Sequence, residues 1–154
     1  VIKSQSLSIG SLSAFNDYVD GLFADKSSKK KIEKRLIELF DNQSMYREDF
    51  KVLSAVGGTA RAALKVYREY YDLEDNIRSM KADDFNQMVK DLVKKSDTKK
   101  MRLILDVKPD RIHTLLPGML IMNQICKFFS VKTINVSQTG VREGYVYSKL
   151  LRKE

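Results

Sequence analysis

The chain has 154 residues, 43% of them hydrophobic, which suits one globular domain with a real core and argues against disorder. Its 28 Lys and Arg against 20 Asp and Glu leave a formal charge of +8, attractive to nucleic acid, anionic membranes, nucleotides and inorganic phosphate chains alike. A single cysteine, Cys126, excludes an internal disulfide and a four-thiolate zinc site and favours a reducing, cytoplasmic setting, while no apolar run approaches the ~18 residues of a membrane span.

Nothing at Val1 resembles a signal peptide, and the absence of an initiator methionine fits an excised or processed piece at least as well as a complete protein. Residues 1–10 set Ser4, Ser6 and Ser8 against Gln5, Leu7 and Ile9, an alternation that predicts a strand ending at Gly10. From Ser11, a plausible N-cap, Leu12, Phe15, Val19, Leu22 and Phe23 fall near helical spacing, with Gly21 softening the end. Residues 26–31 read as a basic break. After it, Ile32, Leu36, Leu39 and Phe40 line one face of an amphipathic helix.

The stretch that organises the chain follows. Val52, Leu53, Ala55 and Val56 predict a short strand, Gly57-Gly58-Thr59 a tight turn, and the alanine-rich run to Tyr71 a buried helix. Such a turn aims free backbone N–H groups and the positive end of the helix dipole outward, which makes it a natural anion seat. Residues 72–79 read as a polar loop. Phe85, Met88, Val89, Leu92 and Val93 then repeat at i, i+3, i+4, i+7 and i+8, with Asp83 and Asp84 in the first turn of a helix. That helix runs into Lys94, Lys95, Lys99, Lys100 and Arg102, read as a solvated end.

Lys108-Pro109-Asp110 breaks the chain and can open a helix. The apolar run from Ile112 to Phe129 predicts a buried helix kinked or restarted at Pro117. Residues 131–137 predict a β-branched strand, Gln138-Thr139-Gly140 a turn, and residues 141–151 a last helix. The sum is an α/β chain of three strands and about six helical segments. Three strands make a thin sheet for so many apolar helices, which suggests that strands are missing from the front.

The glycine turn matches neither GxxxxGK[ST] nor GxGxxG, and it reads equally well as a tight bend beside a packed helix. Thr59 can cap that helix or bond a ligand oxygen, and Arg61, unhelpful to the dipole, calls for an anion or carboxylate. A second strand-to-helix turn, Ser137 to Gly144, holds Arg142 and Glu143, whose alternative role is a surface or interlobe salt bridge. In a parallel sheet both turns open at the same carboxyl end, where open α/β folds bind ligands. His113 has no second histidine to join it, Cys126 reads as core, and Tyr67, Tyr70 and Tyr71 read as core and rim.

The segments VLSAVGGTARAALKVY and DRIHTLLPGMLIMNQICKFFSVKTINVSQTGVREGYVYSKLL, with SQSLSIGSLSAF ahead of them, resemble the Ppx/GppA phosphatases, the exopolyphosphatases and guanosine pentaphosphate phosphohydrolases. The resemblance implies the actin, sugar kinase and Hsp70 type of fold, two ribonuclease-H-like lobes with the ligand in the cleft. Residues 1–154 would be a single domain, most of the second lobe, incomplete at its N-terminal side. It implies phosphate contacts from Gly57, Gly58, Thr59, Arg61, Arg142 and Glu143, and no catalytic or metal-ligating residue in this chain. Gln138 stands where relatives often carry an aspartate, and His113 where many carry an acidic residue after the DRA-type arginine.

For the intact parent the resemblance implies magnesium-assisted hydrolysis of a terminal phosphoanhydride of polyphosphate or a guanosine polyphosphate. The catalytic glutamate and glycine-rich phosphate loops would lie in a part ahead of Val1 that includes the N-terminal lobe. This chain alone is then expected to be inactive. The alternative is a basic module for nucleic acid or another polyanion, carried by residues 26–35 and 94–102; no RNA-reading motif supports it.

Overall fold

The computed structural model describes residues 4–42 and 48–151. Residues 4–10 run without a strand, so the expected alternation there forms no ladder, and residues 1–3 lie outside the described residues. Helix α1 spans Ser11–Tyr18, with Gly10 rather than Ser11 at its N-cap. The Gly10 N–H donates to Ser13 Oγ at 2.9 Å and the Ser13 hydroxyl donates back to the Gly10 carbonyl at 3.2 Å. Val19 is already extended, so Leu22 and Phe23 fall outside the helix.

Helix α2 covers Lys26–Asn42 and takes in the lysines expected to break it. Asp25 makes this possible. Its carboxylate accepts from the Ser28 amide at 2.8 Å and the Ser28 hydroxyl at 2.9 Å, which caps the N-terminus and sets a negative charge before the lysines. Ile32, Leu36, Leu39 and Phe40 are its buried face, as the periodicity requires.

Strand β1 is Val52–Ala55 and helix α3 is Gly58–Tyr71. Strand β2, Ser79–Lys81, closes what reads in sequence as a loop. Only Met80 of its three residues is buried, too short a pattern to register as alternation. Helix α4, Ala82–Lys94, buries the expected Phe85, Met88, Val89, Leu92 and Val93.

Of the basic cluster that follows, Lys94, Lys99 and Arg102 are exposed as a solvated end requires, but Lys100 is not. The chain turns at Ser96 and starts helix α5, Asp97–Val107. Lys100 is buried within it, donating to the Ala24 carbonyl and to Asp97 Oδ1, each at 3.3 Å. A 3-10 turn, Pro109–Arg111, leads to helix α6, Leu115–Phe128. Pro117 sits in the first turn of α6, where its missing N–H costs little, so the proline marks a restart and not a kink. Strand β3 is Thr133–Val136, helix α7 is Val141–Val146, and a wider π-type turn occupies Tyr147–Leu151.

The sheet order is β1-β3-β2. β1 runs parallel to β3 with Leu53 opposite Ile134, and β2 runs antiparallel with Met80 opposite the same residue. α6 is the hub of the core, packing against α1, α2, α3 and α4. Among the described residues the outer edge of β1 has no strand partner. Beside it lies a mostly apolar groove of about 320 Å³ that includes Ile9, Leu53, Val56, Ile121 and Ile125. α7 and the turn after it leave Val141, Tyr145, Tyr147 and Leu150 exposed.

An ion-pair relay ties α2 to α6. Glu33 accepts from Lys29 at 2.8 Å and from Lys127 at 2.9 Å. Burial pushes its carboxyl up, but the hydrogen bonds and charges of the two lysines outweigh it, and the net shift is below the ordinary 4.5. A carboxyl lowered in the folded state stabilises above its unfolded value, and that contribution is lost as pH falls through the folded one. Glu33→Gln is therefore expected to cost about 1 kcal/mol or less at pH 7 in urea unfolding, with the difference from the parent disappearing in acid.

Candidate functional site

The parallel pairing of β1 and β3 brings the two expected turns to one end of the sheet. The Ser137 amide donates to the Ala55 carbonyl at 2.9 Å, so the strands part company together. At the end of β1 the chain passes through Gly57 with φ 117° and ψ 176°, a conformation available essentially to glycine alone. α3 then begins with no side-chain cap, its first-turn amides directed out of the helix.

Arg61 reaches across 77 residues of sequence to donate from Nη1 to the Gln138 carbonyl at 2.9 Å. This one bond joins the first turn to the second. Gln138 takes part through its backbone, so the departure from aspartate at this position leaves the tie intact. Ser137 Oγ donates to the Thr139 carbonyl at 2.8 Å and closes the second turn on itself.

Glu143 is committed locally: its Oε2 accepts from the Gly140 amide at 2.7 Å, capping α7. Its carboxyl is held below the usual range by hydrogen bonds from its own backbone amide and from Gly140, with the charges of Arg61 and Arg142 adding to them. Arg142 is exposed and lines a cavity of about 690 Å³ with Thr139, Glu143 and Tyr147.

Arg111, the DRA-type arginine of the sequence, carries a role that sequence reasoning did not assign it. It comes from the 3-10 turn, 52 residues from Thr59, and its Nη1 donates to Thr59 Oγ1 at 3.3 Å. Its guanidinium lies over Gly58, where an added Cβ would meet Nη2 at 2.4 Å. The sequence signal was the DRA-type motif itself, whose arginine follows Asp110 just after Pro109.

The other singled-out groups are structural. His113 packs its ring on Phe15 with centroids 5.2 Å apart, and its Nδ1 lies 3.2 Å from the Leu22 carbonyl oxygen. Burial pushes the Cys126 thiol up to about 12, which keeps it protonated and unreactive. Tyr70 and Tyr71 donate to Asp91 Oδ2 and to the Asp84 carbonyl, and so fasten α3 to α4. The two basic clusters meet at a cleft of about 430 Å³ that includes Lys26, Lys94, Lys95 and Lys100. Asp20, Asp25 and Asp97 interleave with them and offset most of their charge.

Compared with protein families, residues 1–153 match the Ppx/GppA phosphatase family. The chain belongs to this family. Among curated proteins nothing matches. Among solved structures, the Aquifex aeolicus member of the Ppx/GppA family superposes with a TM-score of 0.74 at 16% identity, covering 97% of this chain and 49% of that one. An exopolyphosphatase from Cytophaga hutchinsonii gives a TM-score of 0.70 at 16% identity, over 96% of this chain and 49% of its own. The chain thus spans about half the length of the structures it matches. The small mixed sheet and its surrounding helices are those of the Ppx/GppA fold, of the ribonuclease-H-like kind.

Proposed function

We propose that this chain is most of the second lobe of a phosphoanhydride hydrolase, an exopolyphosphatase or guanosine pentaphosphate phosphohydrolase, and that it forms one wall of the phosphate cleft. The Arg61–Gln138 bond is the observation that carries this reading, because it holds two strand-to-helix turns as one surface at the carboxyl end of the sheet. The first-turn amides of α3, the Thr59 hydroxyl and the remaining N–H groups of Arg61 would bind terminal phosphate oxygens. Arg142 would add charge from the second turn, while Glu143 would fix that turn rather than touch phosphate.

Phosphoryl transfer is catalysed mainly by positioning and by neutralising charge on the phosphate oxygens, and these groups supply both. A magnesium ion, where bound, would add charge neutralisation on the phosphates. Among the described residues no group of three or more His, Cys, Asp and Glu could hold a metal. The described residues therefore offer the ion no ligand cluster of their own.

The catalytic base would come from the parent's N-terminal lobe, so the chain alone is proposed to be inactive. The edge of β1 without a strand partner among the described residues and the exposed apolar side chains of α7 support contacts with that remainder of the parent. A cytoplasmic location is part of the same proposal and rests on the lone buried thiol.

A salt titration tests the cleft. Tripolyphosphate binding is expected to outlast RNA binding as salt rises, since a cleft of aimed donors depends less on counterion release than a diffuse basic surface. Equal and equally steep salt dependence for both ligands would count against the reading and favour a general polyanion module. Phosphate release from polyphosphate by the purified chain, well above blank, would show that inactivity is wrong.

A further inference from the structure

We propose that Arg111 is a positioning residue of this turn: it holds the first turn of α3 in place and orients the Thr59 hydroxyl to donate its proton to a phosphate oxygen. The inference rests on the phosphate-cleft reading above, and four observations carry it.

The first is the pairing of glycines. Gly57 is needed for its positive φ, but Gly58 has no such requirement. What Gly58 provides is room, since a Cβ there would lie 2.4 Å from Arg111 Nη2, 3.0 Å from Cζ and 3.6 Å from Nε. The second glycine is explained by the arginine that lies on it.

The second observation is the direction of the hydrogen bond. Arginine has donors and no acceptor, so Thr59 Oγ1 accepts from Nη1 and its own proton must point elsewhere. Among the described residues nothing accepts that proton. The third is the fixed rotamer. The Thr59 methyl faces Gly118 of α6 so closely that a Cβ on Gly118 would lie 2.5 Å from it. Gly118 on one side and Arg111 on the other leave a β-branched side chain little rotational freedom.

The fourth is charge. Arg111, laid over Gly58, and Arg61, in the first turns of α3, both add charge at the positive end of its dipole; Asp110 and Glu143 offset them in part, and a bound anion would relieve the rest. Arg111 Nε is moreover buried with no hydrogen-bond partner, so the guanidinium is held by its packing on Gly58 and one bond to Thr59.

The test uses the full-length protein and compares Arg111→Met, Arg111→Lys, Thr59→Val and the Met/Val double variant. Tripolyphosphate binding is measured by calorimetry, and amide exchange over residues 61–63 is measured without ligand. Arg111→Met and Thr59→Val are each expected to weaken binding about tenfold, with the double variant no weaker than the worse single. Lysine, a point charge without the planar fork, is not expected to restore binding. Exchange over residues 61–63 is expected to speed up in Arg111→Met.

Gly58→Ala gives a route that leaves the arginine chemically whole. The added methyl should expel the guanidinium and reproduce the Arg111→Met behaviour. Additive losses would overturn the proposal and make Arg111 a direct phosphate ligand. Full rescue by lysine would overturn it in favour of charge alone. Should the parent protein not bind tripolyphosphate, the cleft reading fails by itself. Exchange then judges the hold of Arg111 on the turn: faster exchange in Arg111→Met supports it, and unchanged exchange overturns it.

Discussion

Gly57→Ala is expected to destabilise the protein by about 1–3 kcal/mol and to abolish most binding at the phosphate turn. The cause is backbone conformation alone: at φ 117° and ψ 176° an L side chain is strained, and there is open space around the position, with nothing within 4 Å of an added Cβ. A protein that relieves the strain must rotate the peptide before Gly58, which re-aims the first-turn amides of α3 and shifts Thr59. Stability should fall by about 2–4 °C in melting temperature per kcal/mol for a chain of this size. Tripolyphosphate calorimetry on the folded variant then reads the misplaced turn. A variant as stable as the parent and binding as tightly would show that the turn has another conformation available to it.

Ile134→Ala is expected to cost about 2–5 kcal/mol. Ile134 is fully buried at the centre of β3, opposite Leu53 of β1 on one side and Met80 of β2 on the other. Its removal leaves a cavity in the one strand that both neighbours share, and the adjoining helices close it only in part. Because β3 carries the second turn and aligns it with the first, the loss should also loosen the Arg61–Gln138 tie. Urea unfolding measures the first effect. Faster amide exchange across Ala55 and Ser137 measures the second, and its absence would mean that the turns are held independently of the strand core.

The two strand-turn-helix units were legible because each is written locally. Val52 to Val56, then Gly57-Gly58-Thr59, then an alanine-rich helix carry their own turn chemistry and periodicity, as do Thr133 to Val136 with the turn and helix after them. α4 was the clearest helix for the same reason. The misreadings share a physical cause. β2 has three residues and one buried side chain, and it is a strand only because β3 offers it a ladder. The lysines of α2 looked like a break because the cap that tolerates them, Asp25, acts through side-chain geometry. Lys100 looked solvated because nothing in residues 94–102 shows that the Ala24 carbonyl will lie within reach.

Sequence by itself determined the elements around the glycine turn and the family resemblance, since both rest on residue types at short, fixed spacings. Only the tertiary structure decided what faces that turn. Arg61 meets a carbonyl 77 residues away and Arg111 meets Thr59 from 52 residues away, because helix and sheet packing sets where long, flexible side chains end. It also separated the two glycines, one required by its own backbone angle and the other by the guanidinium laid across it.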